Sequence, residues 1–199
     1  MSARPSALAP KGFSLIEVMV ALAVVAVGLL GIAKMEALSL ASTGSASMRS
    51  LAAIEAASFA ASMHANRDYW TGGAQTTTVA TAGGTVITTS DGALQAQVAA
   101  APNCLEGGAT PCSTAQLAAY DLNEWAAALA QLLPSATATI SCPTLTAPRS
   151  CTIQITWQEN AVGVNSQETS AAQANATNGA DANLPAAFQI PTYTLYVEP

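Results

Sequence analysis

Twenty-one residues from Phe13 to Ala33, FSLIEVMVALAVVAVGLLGIA, contain a single ionisable side chain, Glu17. As an α-helix this run would be about 31 Å long, enough to cross the hydrocarbon core of a bilayer. Arg4 and Lys11 stand on its N-terminal side and Lys34 closes it. The positive-inside rule keeps the N-terminal flank in the cytoplasm and places the bulk of the chain outside. A secretory signal peptide has a similar layout, and a cleavage site near Gly31–Ala33 fits that pattern too. Glu17 argues against it. An unpaired carboxylate in such a run costs about 2.5–3.5 kcal/mol on insertion scales. A plain signal or anchor gains nothing from that cost, whereas a segment that meets a cation in its final setting does.

The remaining composition narrows the class. The chain has 199 residues and charged side chains make up only 9% of them, far below the roughly 25% of ordinary soluble domains. A surface so poor in charge fits an extracytoplasmic protein, or one that covers its surface with partners. Outside the first twelve residues, four basic residues face twelve acidic ones. With no basic cluster, nucleic-acid binding has no electrostatic footprint. The cysteines form two local couples, Cys104 with Cys112 and Cys142 with Cys151 in sequence. These spacings are too wide for a zinc knuckle, and His64, the one histidine, lies far away. Two disulfides in an oxidising compartment are the expectation, with all three pairings open and the local one taken as the working choice.

Between Phe13 and Arg67 only glycines interrupt the helical pattern, predicting one helix of about 80 Å. Its second half, from Lys34, mixes polar residues with Met48, Leu51, Ile54, Phe59 and Met63, and should pack an apolar face on a sheet. The alternating Thr and Val residues around Gly83–Gly84 predict a β-hairpin or two short strands. Ser113 and Gln116 form a capping-box pattern that opens a helix reaching Leu132 and stopped by Pro134. Ala118, Leu122, Trp125, Leu129 and Leu132 fall on one face of it. Thr137–Ser141 and Cys151–Trp157 read as strands, the second alternating Ile153, Ile155 and Trp157 with polar residues. Residues 159–183 form a long polar loop, with a sequon at Asn175 to which no weight attaches, and Thr192–Val197 predicts a final strand. The fold class is α+β.

Candidate chemistry is thin. His64 reads as a helix-surface histidine rather than a pH switch. Asp121 and Glu124 share a helix with no nucleophile or positioned base beside them, so a solvated face accounts for them better than acid–base work. With no phosphate loop, metal spacing or nucleophile motif, neither an enzyme nor a cofactor is expected.

The string KGFSLIEVMVALAVVAVGLLGIA resembles the leader and mature start of type IV prepilins. The resemblance implies a leader over 1–12, cleaved after Gly12 by prepilin peptidase, and methylation of the new amine on Phe13. It also implies that Glu17 pairs with the terminal amine of a neighbouring subunit, a charge-assisted hydrogen bond in a low dielectric. Residues 13–33 would be the transmembrane and filament-core helix and 34–199 the periplasmic head of a pilin fold, a long helix packed on a small antiparallel sheet with one extra helix. HANRDYW at 64–70, the stretch Cys112–Trp125, Leu-Leu-Pro at 132–134 and the strand ending at Trp157 are similar to the PilV group of minor pilins, the type IV pilus modification proteins. That likeness implies a subunit that primes or caps pilus assembly and supports adhesion and twitching motility. Its partners would be prepilin peptidase, other minor pilins, the major pilin and a tip adhesin. It would sit in the inner membrane of a Gram-negative cell and then in the surface pilus. A minor pseudopilin of a type II secretion system would carry the same leader, the same Glu17 and a similar head, and is the alternative.

Overall fold

The computed structural model describes residues 12–72, 75–105, 111–143, 149–159 and 190–199. The leader expectation falls outside these apart from Gly12, as does the polar loop apart from Glu159, and so does Asn175. Two compact units divide the chain, one ending at Leu40 and the other starting at Ala41. The division falls inside helix α1, Leu15–Ala65.

In the first unit every residue from Gly12 to Ala37 is exposed. The apolar character there has no face, because Leu, Val and Ile follow one another around the whole helix. Burial begins at Leu38 and recurs at Ala41, Ser45, Met48, Ala52, Ala56, Phe59 and Met63, in steps of three and four residues. That is the one-sided stripe of a helix packed on a core.

In the second unit a five-stranded antiparallel sheet runs in the order β2-β1-β3-β4-β5. The strands are β1 Gln75–Ala80, β2 Val86–Thr89, β3 Thr137–Cys142, β4 Cys151–Thr156 and β5 Thr192–Val197. Their register stacks Val79, Ala138, Ile155 and Tyr193 in one row on the inner face, and Thr77, Ile140, Ile153 and Leu195 in the next. The opposite face carries Thr78, Thr139, Gln154 and Thr194 in one row. The strand expectations for β3, β4 and β5 match in position and phase. The β1–β2 hairpin turns through Gly83 and Gly84 at φ +74° and +127°, conformations that glycine adopts without steric cost.

The core joins Phe59 and Met63 of α1 and Trp70 to the inner face of the sheet and to α4, Thr114–Leu132. Phe59 is the hub. Its ring stacks on Trp125 at 4.5 Å between centroids and meets Trp70 edge-on at 5.5 Å. Trp125 Nε1 donates to the backbone carbonyl of Glu55 at 3.0 Å. So close an approach to α1 suits the alanines at 52 and 56, and it leaves Ile54 on the other side, 59% exposed. The amphipathic expectation therefore holds for Phe59 and Met63 but not for Ile54.

Three further differences from the sequence reading have local causes. The long helix stops at Ala65, because Asn66 leaves helical geometry at φ −118°, ψ 49°. Its carboxamide donates to the Thr114 carbonyl at 2.8 Å, and its own carbonyl accepts from Tyr69 and Trp70. The chain restarts as the single turn α2, Arg67–Trp70. Helix α3, Gly92–Ala100, was not expected, so the single extra helix of the sequence reading becomes three. Asp91 caps it by accepting from the amides of Ala93 and Leu94. Finally, Leu132 is 40% exposed and Leu133 is buried in its place. A residue before proline is forced out of helical geometry. Leu133, before Pro134, is accordingly extended at φ −124°, ψ 121°, which turns its side chain inward.

The capping box at Ser113 forms in both directions: Gln116 N–H donates to Ser113 Oγ, and Ser113 N–H donates to Gln116 Oε1. Cys104 is bonded to Cys112, and Cys142 to Cys151. The second bridge ties the end of β3 to the start of β4. Cross-links over loops this short still remove roughly 2–3 kcal/mol of unfolded-chain freedom.

Candidate functional site

Gly12, Phe13 and Ser14 precede α1 in non-helical backbone. The Ser14 carbonyl accepts from Glu17 N–H at 3.0 Å and Val18 N–H at 3.3 Å. Ser14 is thus the last residue outside the helix, and Glu17 sits in the first turn. A carboxylate there faces the positive end of the helix dipole, worth about 0.3–1 kcal/mol. The structure brings Gly12, Phe13 and Glu17 into one short stretch, in which all three are exposed.

What surrounds Glu17 is the unusual part. Phe13 is 83% exposed and Leu15 77%, and Val18, Leu22, Val25, Leu29 and Ile32 all lie open as well. Within α1, an 18-residue window that meets the length and composition of a membrane span has none of its residues buried in the chain's own fold. Bare apolar surface of this extent is unstable in water and marks a segment that meets lipid or other protein. Added Cβ atoms at Gly28 and Gly31 would meet nothing within 4 Å, so both sites stay open to the close approach of another helix. The arrangement can bury itself and can hold one negative charge toward a cation.

The head carries two polar clusters that sequence reading missed. At the end of β4, Glu159 accepts from Trp157 Nε1 at 3.0 Å and from Ser45 Oγ at 2.8 Å, with Arg49 Nε 3.9 Å away. It fastens α1 to the sheet just where the polar segment begins. The signal was available only as an isolated acid after a tryptophan.

The second cluster joins Tyr69, Asp91 and Gln75. Tyr69 Oη lies 2.7 Å from Asp91 Oδ2 and 3.0 Å from the Gln75 carboxamide. A phenol has one proton, and it goes to the carboxylate. The Gln75 contact then requires the amide turned so that Nε2 donates to Tyr69, which supplies that nitrogen with an acceptor. The Tyr69 hydroxyl, assisted by the Ala93 and Leu94 amides, holds the Asp91 carboxyl below its ordinary range against the opposing effect of burial. Burial, with Asp91 beside it, pushes the Tyr69 phenol upward. The cluster locks α2 to the start of α3.

The other candidates stay apart. His64 is exposed in the last turn of α1. Asp121 is half-buried, which raises its carboxyl pKa, while Glu124 points to solvent. Among the described residues no three His, Cys, Asp or Glu side chains come together as a metal site.

Comparison with known families gives one result. The family model for the prokaryotic N-terminal methylation motif matches residues 9–33. No curated protein and no solved structure matches the chain. The match covers the segment whose geometry is described above, and it makes the chain pilin-like at its N-terminus. The α+β architecture of long apolar helix, small antiparallel sheet and added helices is pilin-like as well.

Proposed function

We propose that this chain is a minor type IV pilin, synthesised as a prepilin and active by assembly. Prepilin peptidase cuts after Gly12 and methylates Phe13. Residues 13–33 hold the subunit in the inner membrane until it enters a fibre. The observation that carries the reading is Glu17, one carboxylate in the first turn of α1, within a stretch from Leu15 to Ala33 whose other side chains are all apolar and all exposed. A lone acid in such a helix is stable when a neighbour supplies a cation. The amine of a processed Phe13 on the next subunit is a cation at the right end of the same segment. Each subunit then neutralises another, and the pairing fixes the stagger between them.

The head supports the finer reading, a priming or capping subunit of the PilV kind that serves adhesion and twitching motility. The HANRDYW stretch makes the break between α1 and α2, and the Cys112–Trp125 stretch makes the capped first part of α4 and ends in Trp125, on which Phe59 stacks. Other minor pilins, the major pilin and a tip adhesin are the partners this role needs. The test is the location of the wild type and of Glu17→Ala. Wild type is expected in fibres sheared from the cell surface. Glu17→Ala should be cleaved normally yet depleted from those fibres. Wild type confined to the membrane while supporting export of folded proteins would assign the chain to the secretion pseudopilus instead.

A further inference from the structure

The two edge strands of the sheet, β2 and β5, are finished differently. At β2, Ser90 N–H donates to the Thr76 carbonyl at 2.9 Å. That fixes the alternation, so Ile87 and Thr89 turn their backbone groups away from β1. Gln95 of α3 meets both. Its carboxamide accepts from Thr89 N–H at 2.9 Å and donates to the Ile87 carbonyl at 3.2 Å. Such a group offers the donor and acceptor of a strand residue, so this edge is closed.

At β5, Trp157 N–H donates to the Pro191 carbonyl, so the odd-numbered residues Tyr193, Leu195 and Val197 bond to β4. Thr192, Thr194 and Tyr196 direct their N–H and C=O groups outward, and among the described residues nothing meets them. Natural edges are blunted by charges, bulges or outward prolines. Residues 192–197 carry no charge, and Glu198 supplies the first one beyond the strand. Pro191 stands in the inward phase, so its missing N–H leaves the outer edge intact. On the inner face Tyr193 and Leu195 are only half-buried, so the core is uncovered along the same flank.

A second copy of this chain does not fill that edge. Antiparallel pairing of two β5 strands turns one head half a turn about the sheet normal. That reverses α1 on the inner face, and with it the side from which each chain is anchored. A copy in the same orientation would offer β2 instead, and Gln95 closes β2. We propose that β5 takes a sixth strand from a different protein, donated as an extended segment. It runs antiparallel, like every pair in this sheet, the form more stable per residue. Residues opposite Thr192, Thr194 and Tyr196 then share the outer face, and those opposite Tyr193 and Leu195 share the inner one. The segment is therefore at least five residues long and alternates uncharged polar with apolar side chains. Its main chain gains about six hydrogen bonds from the three outward residues. Its apolar side chains cover the open flank and set the specificity. The exclusion of a second copy rests on the reading of residues 13–33 as a membrane span; the open edge does not.

The first test uses full-length protein and a synthetic peptide of residues 191–198 carrying Thr194→Cys. The peptide has no α1 to orient, and Thr192-Tyr193-Thr194-Leu195-Tyr196 is complementary to itself about its centre. Under mild oxidation it should link to Thr194→Cys protein about tenfold more than to Thr88→Cys, because central Cα atoms of the added strand would stand about 5.5 Å apart. Thr88 is the control because it is equally exposed but lies on the closed edge. Adding Tyr196→Pro to the Thr194→Cys protein removes one outward N–H, spares the bonds to β4 and should lower the linkage. The second test places a photoreactive phenylalanine analogue at Thr194 in cells and sequences the linked peptide by mass spectrometry. The expected peptide belongs to another protein and alternates uncharged polar with apolar residues. Neither arm reads processing at Gly12, so this proposal and the pilin reading fail separately. Peptide linkage no better at Thr194 than at Thr88 overturns the proposal, as does a photoproduct that is absent, joins two copies of this chain or contains a charged segment.

Discussion

The two stretches of α1 are made from similar residues and solve opposite problems. From Leu15 to Ala37 apolar side chains cover the whole circumference and none is buried. From Leu38 to Met63 the buried positions form one stripe, and alanines, serines and Arg49 fill much of the rest. A helix uniformly apolar around its axis is matched to a solvent that is itself apolar; one with a stripe is matched to a single core. The contrast locates two kinds of information. The stripe specifies this chain's own fold, while the uniform stretch specifies what the chain joins. Glu17 belongs to the second kind, since its carboxylate meets no side chain among the described residues and lies in the exposed stretch.

Substitutions should separate the two. The largest effect is expected in the core: Trp125→Ala removes the stack on Phe59 and the bond to Glu55, and should cost about 3–5 kcal/mol of head stability, read as a lowered midpoint in thermal or denaturant unfolding. Next comes Val24→Lys, which adds a charge at the centre of the uniform stretch. Membrane insertion should become less favourable by about 2.5–3.5 kcal/mol, measured in an insertion assay. The unfolding midpoint of the head should not move, and a shift there would break the separation of the two stretches. Glu159→Gln weakens the tie between α1 and the sheet and should cost about 1–2 kcal/mol. Ser113→Ala removes one half of the capping box and should cost about 1 kcal/mol, with no effect on insertion.

A smaller effect follows from pH. Asp91 has a folded-state pKa below its unfolded value. Its contribution is present above the unfolded pKa and is lost as pH falls through the folded one. Asp91→Asn should therefore lower head stability at neutral pH and flatten its decline in acid. An unchanged acid limb would show that the Tyr69 bond adds nothing to folding.

Much of this was legible in the sequence because it was local or strictly periodic. The capping box at Ser113, the phase of Ile153 and Ile155, and the glycine turn at 83–84 each need only a few neighbouring residues. What escaped depended on distant partners. Asn66 breaks α1 through a bond to Thr114, and Glu159 is held by Ser45. Helix α3 hid in an alanine- and glutamine-rich run after Asp91, with no apolar stripe to mark it. Leu132 was misplaced on the buried face by carrying helical spacing one turn too far, although Pro134 gave the warning. At the N-terminus Gly12, Phe13 and Glu17 were read from their pattern. The structure adds that their surroundings are wholly exposed, which the pattern alone did not contain.

The most direct measurement is the mass of the N-terminal peptide of the protein, recovered from sheared fibres and from membranes. The account predicts a peptide that begins at Phe13 and carries one methyl group on its amine. A peptide that begins at Met1, or one that begins beyond Ala33 as a signal-peptide cut would leave it, would contradict it.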